Sequence, residues 1–153
     1  MTATVSAQST TQVYELFIKA TPEQIWEAIT ESEFRRKYFH GSGVESTFEA
    51  GSNIRTLSPT GDAWGDDVVL ESDPPRKLVH TWRSLYDPGL AAEPESRVTW
   101  EIEPMGDGSC KFRLTHDRLE ESPKTAASVT GWLRILCGMK TVIETGEPMV
   151  PQE

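Results

Sequence analysis

Residues 122–145 read SPKTAASVTGWLRILCGMKTVIET, the longest stretch of the chain with the apolar period of a helix. Its large apolar side chains recur at steps of three and four residues, on one helical face: Val129, Trp132, Leu133, Leu136, Met139 and Ile143. Ser122 and Pro123 are typical of a helix start, and Gly146 before Pro148 of a helix end. The pattern predicts one helix of roughly 30 Å. We expect it to be the core helix of an α+β domain, and it could also cover a ligand cavity.

The chain before this helix consists of short segments separated by turns. A half-buried strand is predicted where Tyr14, Leu16 and Ile18 alternate with outward residues. The sequence TPEQ at residues 21–24 predicts a capped helix start, and a second short helix is predicted over residues 31–38. Six more strands are predicted near residues 44–49, 53–57, 68–71, 78–83, 98–103 and 110–115. Strand, two helices, six antiparallel strands and a long helix indicate an α+β fold.

Size and charge restrict the class of protein. The chain has 153 residues, with 24 acidic and 15 basic side chains and a formal net charge of −9. We expect a single domain over residues 12–146, flanked by a disordered tail at residues 1–11 and a C-terminal tail at residues 147–153. An acidic surface repels phosphate groups, so nucleic acid and membrane are not expected as partners. Neither a signal peptide nor an apolar run of about 20 residues is seen, which predicts a cytoplasmic protein.

Two blocks of sequence resemble those of a known superfamily. The blocks are ATPEQIWEAIT at residues 20–30 and DPPRKLVHTW at residues 73–82. Two later pairs add to the resemblance, Thr115-His116 and Gly131-Trp132. Together they resemble the START-like (SRPBCC) superfamily and, within it, the activator of heat-shock-protein-90 ATPase homologue family, over residues 13–145. The resemblance implies the helix-grip fold, in which a curved antiparallel sheet wraps around a long C-terminal helix and two short helices follow the first strand.

The same resemblance implies a cavity between the sheet and the C-terminal helix. We expect its lining to come from the alternate, mostly apolar residues of the strands, from the inner face of the helix and from the end of the second short helix. The predicted ligand-binding residues are Tyr38, Phe39, Leu78, His80, Trp82, Val98, Trp100, Phe112, Leu114, His116, Trp132, Leu136 and Met139. Aromatic walls with a few polar groups suit an apolar or aromatic ligand, although the same side chains can simply fill the interior.

Two histidines share the inward parity of their strands. His80 and His116 are either satisfied by hydrogen bonds in the core, or one of them orients a ligand or acts as a general base near neutral pH. His116 and Asp117 do not form a dyad, because neighbours on a strand point to opposite faces. We predict no metal and no cofactor, since the histidines and cysteines lack paired ligand spacing. Cys110 and Cys137 are expected to be buried free thiols.

Three polar motifs have a plain interpretation and a functional one. Arg35-Arg36-Lys37 is expected to be a solvated helix face rather than an anion site. His40-Gly41-Ser42-Gly43 is expected to be a linker, because a nucleophile elbow has a strand before it and a helix after it. Asp62, Asp66 and Asp67 are expected to lie in a solvated turn, since their spacing fits no divalent-cation loop.

The predicted function is binding of an apolar or aromatic small molecule. One alternative is a cyclase- or hydratase-like enzyme that uses the same cavity, with His80, His116 or a tyrosine as acid or base. Another is a protein-interaction module of the co-chaperone kind. Phe17 departs from the polar residue usual at this place in the resembling family, and an outward aromatic on a strand often marks an interface. It predicts a possible homodimer through the face of the first strand.

Overall fold

The computed structural model describes residues 11–150. Except for Thr11, the predicted N-terminal tail lies outside the described residues, as do residues 151–153 of the predicted C-terminal tail. The helices and strands, in chain order, are β1 (Gln12–Ile18), α1 (Pro22–Thr30), α2 (Ser32–Arg35), β2 (Gly43–Glu45), β3 (Asn53–Leu57), β4 (Ala63–Asp73), β5 (Lys77–Trp82), α3 (Pro88–Ala91), β6 (Ser96–Pro104), β7 (Cys110–Asp117), α4 (Pro123–Ser128) and α5 (Trp132–Thr145).

The seven strands form one antiparallel sheet in the order β1-β7-β6-β5-β4-β3-β2. Strands β2 to β7 are neighbours in chain order, whereas β1 pairs with β7 across nearly the whole chain, from Gln12 opposite His116 to Ile18 opposite Cys110. Two short helices separate β1 from β2, and a longer helix ends the described fold. The predicted helix-grip fold is therefore confirmed.

Local sequence explains the first two helices. Thr21 caps α1 through a complete capping box: its hydroxyl accepts from the backbone N–H of Gln24, and the Gln24 side chain accepts from the backbone N–H of Thr21. Helix α2 is only four residues long, shorter than predicted. It gives way to turns that run to Gly41 and include His40, whose φ of 55° is left-handed and cannot continue a helix.

Arg35 corrects the expected solvated basic face. Its side chain is buried, with 2% exposure, whereas Arg36 and Lys37 are exposed. The guanidinium carbon lies 5.0 Å from the ring centre of Phe39 and 5.6 Å from that of Trp100, and Nε donates to the Ile29 carbonyl at 2.9 Å. Aromatic faces stabilise a guanidinium that has little water around it, so Arg35 acts as a core residue.

The C-terminal helix is interrupted, which corrects the prediction of one continuous helix. α4 ends at Ser128, and α5 begins at Trp132. Val129 has ψ of 18° and Gly131 has ψ of 4°, both outside the α-helical range. Two β-branched residues followed by glycine have low helix propensity, so a break here costs little. Gly146 ends α5 with φ of 83°, as its sequence predicts.

The start of α4 is capped from a distant loop. The hydroxyl of Ser122, the predicted cap, donates instead to the Pro94 carbonyl at 2.8 Å. Glu93 supplies the cap, because its carboxylate accepts from the backbone N–H groups of Lys124 and Thr125 at 3.0 and 2.8 Å. The loop before β6, which also contains the unpredicted α3, therefore holds α4 in place.

Helix α5 packs its inner face onto the middle of the sheet. Trp132, Leu136, Met139 and Val142 are buried, and the Trp132 ring contacts that of Trp100 at 5.8 Å between centroids. The predicted burial of Trp132 is confirmed, whereas Leu133 from the predicted apolar stripe is exposed. No helix among residues 11–150 is long and apolar enough to cross a membrane.

β2 and β4 are among the strands that differ in length from their predictions. β2 has three residues instead of six, and Phe48, with a left-handed φ of 58°, breaks the extended backbone beyond it. β4 begins at Ala63 rather than Val68, because it pairs with β3 as far as Leu57 opposite Ala63. The added length places residues 63–67 in the sheet instead of in a turn.

Candidate functional site

A cavity of about 280 Å³ lies at one end of the sheet, beside the break between α4 and α5. It is bounded by β4, the end of β5 and the residues just after it, the turn after α2, and the first turns of α5. Its lining residues are Phe39, His40, Thr56, Trp64, Gly65, Asp67, Trp82, Arg83, Ser84, Tyr86, Ser128, Val129, Gly131, Trp132 and Ile135. A cavity of about 150 Å³ can hold one benzene ring, so this volume suits a fused ring system.

The structure brings three of the thirteen predicted ligand-binding residues to this cavity: Phe39, Trp82 and Trp132. The other ten do not line it and lie in the buried interior beside it: Tyr38, Leu78, His80, Val98, Trp100, Phe112, Leu114, His116, Leu136 and Met139. Edge-to-face packing fills that interior, with Trp100 and Phe112 at 5.9 Å between ring centroids. The open volume therefore lies nearer one end than the sequence predicted.

His80 is engaged through both ring nitrogens. Nε2 accepts from the indole N–H of Trp100 at 2.9 Å, and Nδ1 donates to the Thr81 carbonyl at 2.7 Å. These two partners fix the tautomer of a neutral imidazole. Burial lowers the pKa of His80 to about 4. His80 is therefore neutral near pH 7 and has no free nitrogen for a ligand.

His116 is engaged in a longer chain of hydrogen bonds. Its Nδ1 accepts from the indole N–H of Trp132 at 3.0 Å, and its Nε2 donates to Ser96 Oγ at 2.7 Å. Ser96 Oγ in turn donates to the Trp82 carbonyl at 3.3 Å. Burial lowers the pKa of His116 to about 4, with a smaller contribution from His80. Both histidines thus act as core acceptors for tryptophan, and they do not titrate between pH 5 and 8 as a ligand-orienting histidine would.

Asp67 is one of the lining residues that the sequence interpretation missed, and the one with the most distinctive chemistry. It belongs to β4, has 4% exposure and lines the cavity. Thr81 Oγ1 donates to its Oδ1 at 3.1 Å, and the backbone N–H of Arg83 also donates to its carboxylate. Burial nevertheless raises its pKa to about 7, helped by the charges of Glu95 and Asp66. A carboxyl that is half protonated near neutral pH can donate or accept a proton.

A signal for Asp67 was present in the sequence. Gly65, Asp67 and Val69 are buried at alternate positions of β4, while Asp66 and Leu70 are exposed. Extending the period of two backward from Val69 assigns Asp67 to the inner face. Placing the turn at residues 62–67 hid this parity.

Two buried donors at the cavity have no partner. Within residues 11–150, the buried side-chain nitrogen or oxygen atoms without a hydrogen bond are Trp82 Nε1 and Arg83 Nε. Both residues line the cavity. More than 90% of buried polar groups in proteins are paired, so two exceptions in adjacent residues of one cavity wall are unusual.

The remaining polar candidates do not form a second site. No cluster of three metal-ligating side chains occurs among the described residues. Cys110 and Cys137 are free, Cys110 buried and Cys137 half-buried. Gly41 has φ of 72° in the His40–Gly43 segment, which connects the turns after α2 to β2 as a linker.

Comparison with known proteins gives a family and a set of similar folds. The family described as "Activator of Hsp90 ATPase homolog 1-like protein" matches residues 19–144. No curated protein sequence matches this chain.

Solved structures with a similar fold come from several organisms. CalU16 from Micromonospora echinospora is 20% identical, with a TM-score of 0.70 over 90% of this chain and 76% of its own. The Aha1 dimer from Colwellia psychrerythraea is 20% identical, with a TM-score of 0.69 over 90% and 98%. An HSP90 activator from Plasmodium falciparum is 19% identical, with a TM-score of 0.67 over 92% and 99%. At these identities, the likeness establishes the fold alone.

Proposed function

The chain belongs to the Activator of Hsp90 ATPase homolog 1-like family, and from that premise we propose that it binds an apolar or aromatic small molecule in the cavity beside the α4–α5 break. The observation that carries the proposal is the aromatic wall: Trp64 from β4, Trp82 from β5 and Trp132 from α5 all line one volume of about 280 Å³. Pockets that take small molecules are mostly apolar, with a few placed polar groups.

The aromatic corner of the cavity is held by its own packing. Trp82 and Trp132 lie 5.3 Å apart between ring centroids, and Phe39 stacks on Trp82 at 6.5 Å and meets Trp132 edge-on at 5.6 Å. A wall that is already ordered costs little to organise on binding. Burying roughly 300 Å² of apolar ligand surface contributes about 8 kcal/mol at about 25 cal/mol per Å². After a cost of immobilisation of about 3–4 kcal/mol, at the low end of its usual range, dissociation constants of about 0.2–1 mM are expected.

The test is a tryptophan-quenching titration with flat aromatic compounds such as 2-acetylnaphthalene. Gly131→Phe is the blocking variant, because Gly131 lines the cavity, has a negative φ, and a Cβ there would meet no atom within 4 Å. Thr130→Phe is the matched control, since Thr130 is exposed and does not line the cavity. Leu136, which is fully buried and away from the cavity, is unsuitable, because a larger side chain there would overpack the core.

We expect wild type and Thr130→Phe to bind, and Gly131→Phe to lose most of its affinity. Binding weaker than millimolar by every compound, or equal binding by the blocked variant, would remove the basis for a ligand site here.

A second candidate, an acid–base enzyme using the same cavity, is favoured by Asp67. This carboxyl has a pKa of about 7 and lies in an apolar wall, as suits proton transfer at a carbon next to a carbonyl. The test follows deuterium exchange of the methyl protons of 2-acetylnaphthalene by NMR. An enzyme accelerates the exchange, and Asp67→Asn abolishes the acceleration. If the methyl protons exchange no faster with wild type than in buffer alone, the acid–base candidate is wrong and small-molecule binding remains the proposed function.

We also propose that the chain forms a homodimer through the outer face of β1. The relative from Colwellia psychrerythraea is described as a dimer. In this chain Phe17 is 56% exposed, and Val13 is exposed on the same face of β1. Two large apolar side chains that share the exposed face of β1 leave this face open to a second copy.

A further inference from the structure

We propose that the ligand of this cavity is an aromatic carboxylate that pairs with the guanidinium of Arg83. This inference rests on the proposed function, because it names the chemical class of the ligand for the same site. It is carried by two features of the cavity wall: two unpartnered buried donors, and a guanidinium without an acidic partner.

The two donors are costly as they stand. A buried donor without an acceptor destabilises the fold, because it has lost its water and gained no partner. Trp82 Nε1 and Arg83 Nε are such donors, and both side chains line the same volume. Both nitrogens are buried from the open volume, so a ligand oxygen reaches them only if the side chain shifts towards the cavity, and a ligand with acceptors favours that shift where a pure hydrocarbon does not.

The positive charge of Arg83 indicates that the acceptor group of the ligand is an anion. The ion pairs among residues 11–150 involve other basic side chains, and Arg83 takes part in none of them. Asp67 lies nearby, but it accepts from the backbone N–H of Arg83. A half-buried arginine without a carboxylate partner favours a carboxylate on the ligand, because hydrogen bonds with a charged partner are about twice as strong as neutral ones.

Acidic side chains near the cavity oppose the binding of an anion, and the choice of pH reduces the charge of Asp67. Asp67 is the acidic side chain in the lining, with Asp66 and Glu95 close enough to act on it, and His40, Arg83 and Tyr86 are the other titratable groups of the wall. At pH 6, Asp67 is largely protonated, whereas an aromatic carboxylic acid is ionised. Binding is therefore measured at pH 6, where the guanidinium has the least competition from the protein.

The experiment compares 2-naphthoate with 2-naphthamide, which have the same ring system and differ in charge. We expect wild type to bind 2-naphthoate at least about tenfold tighter, the effect of one hydrogen bond to a charged group. Arg83→Gln removes the charge and is expected to bring the two affinities within about twofold. Arg55→Gln is the control, because Arg55 is exposed on the neighbouring β3 and does not line the cavity.

The outcomes separate a failure of the carboxylate inference from a failure of the proposed ligand site. Equal affinities for both probes in wild type overturn the carboxylate inference and leave the proposed function intact. Failure of both probes, and of 2-acetylnaphthalene, overturns the proposed function as well. A preference that survives in Arg83→Gln shows that another group selects the anion and overturns the role of Arg83. If Arg83→Gln does not fold, Arg83→Lys and the comparison in wild type still test the inference.

Discussion

Replacing Asp67 by asparagine removes the titration of a buried carboxyl but keeps its shape and an acceptor for Thr81. The pKa of Asp67 is raised from 3.8 to about 7, chiefly by burial. The folded state therefore keeps the proton up to about pH 7, while the unfolded state loses it near pH 4. Because the folded state binds more protons in that window, wild-type stability falls as pH rises from about 4 to about 7 and is flat above it.

The size of the effect follows from the width of the window. Between pH 5 and the folded pKa of about 7 lie two pH units, and each contributes about 1.4 kcal/mol, so Asp67→Asn is expected to gain about 3 kcal/mol on wild type between pH 5 and pH 8. Urea denaturation of both proteins at the two pH values measures this difference. Asp66→Asn, at an exposed neighbour on the same strand, is the control and is expected to change by less than about 0.5 kcal/mol.

A stability difference between wild type and Asp67→Asn that is the same at pH 5 and pH 8 would refute the reasoning. It would mean that Asp67 is ionised and solvated in the folded protein, and it would also remove the basis for the acid–base candidate. A pH-dependent gain in Asp66→Asn of similar size would assign the effect to surface charge instead.

The core histidines, with pKa values lowered to about 4, stabilise the fold above about pH 6.5 and destabilise it as pH falls towards 4. We therefore expect the ring resonances of His80 and His116 to keep their neutral positions down to about pH 5 in NMR titrations, and an imidazolium signal for either at pH 6 would contradict this. Trp132→Phe leaves His116 Nδ1 without its donor, so urea denaturation should show a loss of at least about 2 kcal/mol, more than Trp26→Phe at a half-buried site. Phe17→Ser is expected to weaken the proposed dimer in sedimentation at several concentrations, and a wild type that stays monomeric would end that proposal.

The fold was predictable because it depends on patterns that the sequence carries locally. The capping box at Thr21, the alternation of Tyr14, Leu16 and Ile18, and the left-handed Gly146 each appear in the structure as their residue types require. The break at residues 129–131 was not predictable from the apolar period, because Val129 continues the stripe although the backbone does not continue the helix.

The site was less predictable, since it depends on pairings between distant residues. Strand parity correctly assigned His80 and His116 to the interior, but it could not show that Trp100 and Trp132 would donate to them. Strand parity also could not show where the indole rings pack closely and where they leave an open cavity. The ligand-binding role of the thirteen residues thus remains a prediction, and the cavity favours Phe39, Trp82 and Trp132 among them.

The break between α4 and α5 divides the C-terminal segment into two parts with separate anchors. α5 is held by its buried face and by Glu144, which accepts from the backbone N–H of Lys19 at 2.7 Å. α4 is held by Glu93 and by Gln12, whose side-chain amide donates to the Ala126 carbonyl at 3.1 Å. Local openings need only the contacts of the unit that moves. A swing of α4 about residues 129–131 would move Ser128 out of the cavity wall while α5 stays docked, so a ligand could exchange without unfolding of the whole protein. Amide protons of α4 would then exchange with solvent earlier than those of α5, at a rate that falls when a ligand occupies the cavity.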